Sequence, residues 1–261
     1  NGVICDFEGG VANNAVPDRA SALLHTDITK LKNAPNITLE PAGEGCVRVR
    51  GWGKAGHAAM PEGTVNAIGL VVNYLLDNGL CNDAERAYLE AVKKLHDSTA
   101  GVGLGIDCAD GPFGPLTIIG GKMSMVDGRM VQTMDSRYPT CTDGDTIAKQ
   151  IRAAIGTGAE LTDVGSAKPF YIEADTPAIK ACIDTYNEVT GENATPFTMG
   201  GGTYARHFPY AVSFGPEHVD LPLPEFGGPM HGANEAAPID KLLEAVKIYI
   251  IALLRLEEID F

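Results

Sequence analysis

Alternating apolar and polar residues in the N-terminal part of the chain predict strands rather than helices. Val3 to Phe7 and Arg19 to His25 are short runs of this kind, and the turn-rich stretch between them, which contains Asn14, predicts their connection. Ile37 to Glu40 and Cys46 to Gly51 show the same alternation and predict a second pair of strands.

A helical spacing of apolar residues follows. Thr64 to Asn78 carries apolar residues on one helical face and is closed by Gly79, and Asp83 to His96 repeats the pattern. Leu116 to Val126 and Arg129 to Tyr138 return to extended runs. Because an Asp-Gly pair separates them, the sequence predicts a β-hairpin at this point.

The pattern divides the chain into two domains of different class. Asp143 to Ile155 and Thr176 to Thr190 are predicted helices, and Leu161 to Ile172 is predicted to be extended. Strands that are grouped apart from helices within residues 1–174 predict an α+β domain, with an antiparallel sheet covered by helices on one face.

Residues 175–261 have a different order of elements. A glycine-rich turn follows the first helix, Tyr210 to Phe214 predicts a strand, and a helix from Pro238 to Glu257 ends the chain, with Pro238 in its first position. We expect an α/β piece that is too short to close a sheet, so that its strand would add to strands from elsewhere.

Composition excludes several classes of protein. The 261 residues suffice for two domains, and the net charge of −14, with 20 basic against 34 acidic residues, argues against a nucleic-acid partner. The most apolar segment, Ala245 to Leu256, is shorter than the roughly 20 residues of a membrane helix. Six scattered cysteines without a Cys-x-x-Cys pair predict reduced thiols in a cytoplasmic protein.

Two glycine-rich loops could bind ligands. The residues from Gly51 to Gly56 fit a dinucleotide fingerprint, but Pro61 delays the next helix, and we reject that interpretation. The loop from Met199 to Arg206 allows close approach of a ligand, and a helix start behind it would offer N–H groups to an anion. It lacks the Gly-Lys-Ser/Thr ending of a phosphate loop, which favours a carboxylate; a plain tight turn is the alternative.

Three further side chains are candidates for chemistry. His57, flanked by small residues, could reach outward from its loop, or it could be a buried core histidine. Arg137 at a strand end suits bidentate carboxylate binding, or it is a surface charge. His231, in a Gly-Pro loop with Asn234 and Glu235, is a metal ligand, an acid–base group or a solvated side chain.

Other catalytic arrangements fit the sequence poorly. The chain has no Gly-x-Ser-x-Gly elbow and no Ser-x-x-Lys, which argues against a serine hydrolase. A self-contained metal site would have to use side chains whose spacing matches no common ligand template. These side chains are His207, Glu217, His218, Asp220 and His231.

Taken in order, five motifs resemble the co-catalytic zinc exopeptidases, the family that includes aminoacylases, succinyl-diaminopimelate desuccinylases and, most similar here, PepV-like dipeptidases. The resemblance covers essentially the whole chain, and the motifs are specific only jointly. They are Asn14 to Asp18, Gly53 to Pro61 with Asn66-Ala67, Arg137 to Pro139, Gly200 to Arg206, and His231 to Glu235.

The resemblance implies a lid domain over residues 1–174, inserted in a zinc-binding catalytic domain whose C-terminal portion is residues 175–261. It implies that His231 is a ligand of one zinc ion and that His57 stabilises the oxyanion of the tetrahedral intermediate. In the family, a pair of zinc ions activates water and a glutamate is the general base. The resemblance also implies a set of side chains and backbone groups that hold the substrate and its carboxylate: Asn14, Arg137, Gly201, Gly202 and Thr203.

One departure from the family pattern is large. The other metal ligands and the general base precede the lid in the family, and the residues before Asn14 cannot hold them. We therefore expect a fragment without the N-terminal catalytic segment, inactive alone and with zinc absent or partial. The implied substrate is a dipeptide or an N-acyl amino acid, with a possible homodimer through the lid. The alternatives are a stand-alone lid-like binding or dimerisation protein and a metal-free, carboxylate-binding regulatory domain.

Overall fold

The computed structural model of the chain describes residues 3–215, 221–227 and 234–260. The chain divides into two compact units, Asn1–Pro169 with Met199–Gly201, and Phe170–Thr198 with Gly202–Phe261. All strands of the described residues lie in the first unit. They are β1 (Ile4–Gly9), β2 (Ala15–Val16), β3 (Arg19–His25), β4 (Ile37–Pro41), β5 (Cys46–Trp52), β6 (Gly56–His57), β7 (Ala109–Asp110), β8 (Gly114–Pro115), β9 (Thr117–Val126) and β10 (Arg129–Arg137).

The described residues also form five α-helices, three in the first unit and two in the second. They are α1 (Ala67–Asp77), α2 (Asp83–His96), α3 (Gly144–Ile155), α4 (Pro177–Thr190) and α5 (Ile239–Leu256).

Six strands of the first unit form one antiparallel sheet in the order β10-β9-β1-β3-β5-β4. The predicted hairpin is present as β9–β10, and Asp127 and Gly128 at its turn both have positive φ, 48° and 74°. A two-residue turn with two positive φ values matches the right-handed twist of the strands. By contrast, β1 and β9 are joined through a single residue pair, Gly9 with Met123.

Helices cover one face of this sheet, as the alternation of the strands predicts. The side chains of Ile68, Val71 and Leu75 on α1 are fully buried, together with Phe7 and Val49 from the strands. Burying side chains of this size stabilises the fold by roughly 1.5–3 kcal/mol each. The prediction of an α+β unit with a covered antiparallel sheet is confirmed.

The opposite face of the sheet is polar. Arg48 donates to the hydroxyl of Ser21 at 3.1 Å and lies 3.8 Å from a carboxylate oxygen of Glu8. Two residues further along β5, on the same face, the Nε of Arg50 donates to a carboxylate oxygen of Glu40 at 2.9 Å. Charged pairs on this face explain why apolar residues occur at every second position of the strands.

A half-buried histidine whose Nε2 atom is enclosed lies where α2 meets the sheet. His96, the last residue of α2, fits between two glycines: a Cβ on Gly69 would lie 3.2 Å from its Nδ1, and one on Gly120 would lie 2.9 Å from its Nε2. Burial lowers the pKa of His96 to about 4, although the nearby side chain of Gln132 acts in the opposite direction. We therefore treat His96 as neutral at pH 7.

The second unit is built around the contact of α4 with α5. Small and medium side chains are buried between these helices, among them Cys182, Ala245 and Ile248. Arg255 reinforces the pair, because its Nη1 donates to Thr185 Oγ1 at 2.9 Å and its Nη2 contacts a carboxylate of α4. No described helix is long and apolar enough to cross a membrane.

Three predictions about secondary structure are wrong. Leu161 to Ile172 is irregular, because the residues from Thr162 to Lys168 are exposed and have no core to cover. Tyr210 to Phe214 is also irregular, because a strand needs a hydrogen-bonded partner and the described part of the second unit contains none. Pro238 is the N-cap of α5 rather than its first residue.

Candidate functional site

Asn14 and His57 are neighbours in the first unit. The short ladder between β2 and β6 pairs Ala15 with His57, and the N–H of Ala58 donates to the carbonyl oxygen of Asn14 at 3.0 Å. Two motifs that lie far apart in sequence are therefore held together by backbone hydrogen bonds. The side chain of Asn14 is exposed beside the loop that carries His57.

The loop that carries His57 is fixed to the main sheet. Ala58 is fully buried and packs with Val16 and Ile119, and Thr117 Oγ1 donates to its carbonyl oxygen at 3.0 Å. Only a small side chain fits in that contact, which explains the run of alanines that follows the histidine. The backbone next to His57 is therefore fixed at the start of β9.

His57 is half-buried, so the alternative of a buried core histidine is wrong. Its Nδ1 accepts a hydrogen bond from the N–H of Ala59 at 3.1 Å. Because an accepting nitrogen carries no proton, the neutral imidazole holds its proton on Nε2. His57 is therefore oriented as an N–H donor through Nε2.

Arg137 ends β10 and is held by two acceptors. Its Nε and Nη2 donate to the two carboxylate oxygens of Asp135 at 2.6 and 3.1 Å, and its Nη1 donates to the carbonyl oxygen of Gly200 at 2.7 Å. The two side chains share a face of the strand because they are two residues apart. Three of the five N–H groups of the guanidinium are therefore engaged within the first unit.

Gly200 lies between the loop of His57 and Arg137. A Cβ at this position would lie 2.8 Å from the Cβ of Ala59 and 3.6 Å from that of Arg137. The glycine is required by this close approach and not by backbone torsion, since none of the described Gly200, Gly201 and Gly202 has a positive φ. The structure thus brings together Asn14, His57, Arg137 and Gly200 in one unit.

The rest of the glycine-rich loop differs from the prediction. No α-helix follows it, only a 3₁₀ turn at Tyr204–His207 with Thr203 as its N-cap. The hydroxyl oxygen of Thr203 accepts from Ala205 N–H at 3.3 Å and from Ser213 Oγ at 2.6 Å. The predicted α-helix start directly after the loop is therefore wrong, because Thr203 caps a 3₁₀ turn there, and ligand binding by the loop stays a prediction.

His231 lies outside the described residues, so its assignment as a zinc ligand stays a prediction. Within residues 3–215, 221–227 and 234–260, no group of three or more His, Cys, Asp or Glu side chains could hold a metal ion. The described residues therefore do not form a zinc site by themselves.

Two partners in the site were not predicted from the sequence. The pairing of Asp135 with Arg137 could have been inferred from their spacing of two residues on a predicted strand, which places both side chains on one face. The contact of Gly200 with Ala59 joins residues that are remote in sequence. No local pattern indicates such a contact.

Comparison with known proteins gives a consistent result. A family model described as "Peptidase family M20/M25/M40" matches residues 32–255. The protein named "Putative dipeptidase YtjP" of Bacillus subtilis (strain 168) is 29% identical over 265 residues, which cover 97% of this chain and 56% of that protein.

Two further relatives carry similar names. The "Beta-Ala-Xaa dipeptidase" of Lactobacillus delbrueckii subsp. lactis is 26% identical over 268 residues, covering 97% of this chain and 55% of that protein. A "Putative dipeptidase" of Staphylococcus epidermidis is 27% identical over 260 residues, covering 95% of this chain and 54% of that protein. The chain therefore spans about half the length of these relatives.

Proposed function

We propose a function from the premise that this chain belongs to the peptidase family M20/M25/M40, whose model matches most of its length. The proposed reaction is hydrolysis of the peptide bond in small peptides that have a free C-terminal carboxylate. The family match carries this proposal, and the dipeptidase names of relatives that cover 95–97% of the chain support it. The same names disfavour a lid-like protein without catalysis.

We assign His57 the role of oxyanion donor. Attack on a peptide carbonyl places negative charge on its oxygen, and a preorganised N–H donor stabilises that charge. The hydrogen bond from Ala59 to Nδ1 supports this role, because it keeps the proton of the neutral imidazole on Nε2. The same bond restrains rotation of the ring, so the donor needs little reorganisation during the reaction.

We assign Arg137 and Asn14 to substrate binding. Asp135 and the carbonyl of Gly200 hold the guanidinium in one orientation, and two N–H groups beyond these bonds can serve the substrate carboxylate. Asp135 also offsets the charge of Arg137, so the contact with a substrate carboxylate relies on directed hydrogen bonds more than on net charge. The exposed amide of Asn14 supplies a neutral donor beside His57.

The metal and the remaining residues follow from the family resemblance. Members of this family are generally metal-dependent, and we propose zinc, with His231 as one of its ligands. Zinc would supply a Lewis acid that activates water. We propose that Gly201, Gly202 and Thr203 contribute backbone groups near the substrate. Residues 1–174 would be the lid and residues 175–261 a part of the catalytic domain.

A hydrolysis assay tests the proposal. The substrates are a dipeptide, a β-alanyl dipeptide, an N-acetyl amino acid and the same dipeptide with an amidated C-terminus. The complete reading frame and the 261-residue chain are both assayed, because the chain spans about half the length of its relatives. We expect hydrolysis by the complete protein, loss of activity with chelator and poor turnover of the amide. Absence of hydrolysis of any dipeptide by the complete protein would refute the proposal.

Variants of two histidines test the role of His57. His57→Gln should lower kcat by about 10²–10³-fold with a small change in KM, the loss found when one oxyanion donor is removed. His25→Gln is the matched control, because His25 is an exposed histidine of the same unit at the end of β3. A variant at His57 that changes only KM would contradict the oxyanion role and indicate ground-state binding.

A further inference from the structure

Cys108 lies at the start of a small hairpin outside the site described above. Its carbonyl oxygen accepts from Leu116 N–H at 2.8 Å, which extends the ladder of β7 with β8 by one position. In extended backbone, side chains two residues apart point to the same side. The side chains of Cys108 and Asp110 therefore share one side of β7.

That side faces the residues that follow β10. The Oδ2 of Asp110 accepts from the N–H of Thr140 at 2.6 Å and also from its hydroxyl, while Oδ1 accepts from Phe113 N–H at 2.8 Å. Cys141 is the next residue in the chain, and its backbone also lowers the pKa of Asp110. These bonds, first of all that from the hydroxyl of Thr140, lower the pKa of Asp110, so the carboxylate is ionised at neutral pH.

The carboxylate of Asp110 thus holds Cys141 beside Cys108, and the two thiols differ in environment. Cys141 is exposed, whereas Cys108 is half-buried and packs against the core around Leu116. Burial, followed by a hydrogen bond with the side chain of Cys141, raises the pKa of Cys108 to about 11. Both cysteines are reduced.

We propose that Cys108 and Cys141 form a redox-active pair that a peroxide converts to an intramolecular disulfide. The exposed side chain of Cys141 is the thiol that peroxide reaches first, and Cys108 is the resolving thiol. The proposal rests on the pairing of the two loops through Asp110 and does not depend on the proposed peptidase activity.

The reaction balances with hydrogen peroxide as the only oxidant. The sulfur of Cys141 attacks one peroxide oxygen, the O–O bond breaks, and the departing hydroxide takes a proton to become water. The sulfur of Cys108 then attacks the sulfur of the sulfenic acid, the S–O bond breaks, and the second hydroxide leaves as water with the proton of Cys108. The two thiols lose two electrons and two protons, and peroxide becomes two water molecules.

Mass spectrometry of the oxidised protein tests the proposal. The reduced chain is treated with one equivalent of hydrogen peroxide, its remaining thiols are alkylated, and a non-reducing peptide map is recorded. We expect alkylation of four of the six cysteines and one cross-linked peptide pair that contains Cys108 and Cys141. Stable sulfenic acid on Cys141 without a cross-link, or a cross-link between other cysteines, would overturn it.

Serine variants separate the two roles. Cys108→Ser should leave a sulfenic acid at Cys141 that dimedone traps, and Cys141→Ser should leave Cys108 as a thiol. Cys5→Ser is the control, because Cys5 is an exposed cysteine elsewhere in the same unit and its loss should not affect the cross-link. Thermal unfolding of each variant confirms that serine has not disturbed the fold.

The role of Asp110 has its own test. Asp110→Asn weakens the carboxylate bonds to Thr140 and should slow disulfide formation about tenfold, as expected when reacting atoms lose their alignment. Asp27→Asn is a closely matched control, because the carboxylate of Asp27 accepts from the N–H and the hydroxyl of Thr29 in the same way. Equal rates in the Asp110→Asn, Asp27→Asn and unmodified proteins would show that Asp110 does not position the pair.

Discussion

His96 should make the first unit sensitive to mild acid. Its imidazole lies between Gly69 and Gly120, and burial lowers its pKa from 6.5 to about 4. Replacing it with glutamine removes the titrating group and keeps a polar side chain of similar size. The variant should therefore lose the part of the pH dependence of stability that comes from protonation of His96.

The sign and size of this pH dependence follow from the pKa values of His96 in the unfolded and the folded chain. The unfolded chain protonates His96 near pH 6.5, whereas the folded chain does so only near pH 4. Between these values the unfolded state binds more protons, so the free energy of unfolding falls as pH falls. The full loss, reached below pH 4, is about 3 kcal/mol, and none of it is present well above pH 6.5.

Urea unfolding followed by tryptophan fluorescence measures this loss. Trp52 is the single tryptophan of the chain and lies in β5, in the same unit as His96. Unfolding free energies of His96→Gln and the unmodified protein are compared well above pH 6.5 and close to pH 4. His25→Gln, which removes an exposed histidine of this unit, is the control.

The comparison of the two variants with the unmodified protein can refute this prediction. We expect the difference between the unmodified protein and His96→Gln to change by about 3 kcal/mol across this pH range, while His25→Gln follows the unmodified protein. If His96→Gln loses as much stability on acidification as the unmodified protein, burial of His96 does not lower its pKa, and the reasoning fails.

Three other predictions concern the site, a helix cap and the cysteine pair. Gly200→Ala should lower dipeptide hydrolysis by about tenfold or more, because its Cβ would lie 2.8 Å from that of Ala59 and displace the neighbouring histidine loop; unchanged kinetics would contradict the contact. Asn82→Ala, which removes the capping box of α2, should cost about 1 kcal/mol of unfolding free energy in the same urea assay. Oxidation of Cys108 and Cys141 should raise that free energy by about 4 kcal/mol through loop closure, and Cys108→Ser should abolish the gain on peroxide treatment.

Most of the first unit follows from local patterns. Period-two alternation located β3, β5 and β10 to within a residue or two, and the Asp-Gly pair located the hairpin turn. The spacing of apolar residues located α1 and α2, although α1 begins at Ala67 because Asn66 caps it and Thr64 lies in a turn. These features are predictable because each depends on neighbours in sequence.

The errors arise where pattern and context disagree. Tyr210 to Phe214 has the composition of a strand, yet a strand exists only where another backbone satisfies its hydrogen bonds. Similarly, the glycines at positions 200–202 predicted torsional freedom, but Gly200 is constrained by the side chain of Ala59. In the site, the convergence of Asn14, His57 and Arg137 was inferred from family resemblance, since sequence spacing alone does not reveal it.

The single residue pair between β1 and β9 has a consequence for the order of folding. The hairpin of β9 with β10 and the pairing of β4 with β5 join segments that are close in sequence, so their loops close quickly. Gly9 and Met123 come from distant parts of the chain, and their pairing carries a larger loop-closure entropy with few hydrogen bonds to offset it. Pulse-labelled hydrogen exchange should therefore show protection in the hairpins before protection of the hydrogen bonds between β1 and β9, with formation of this pairing as the slow step.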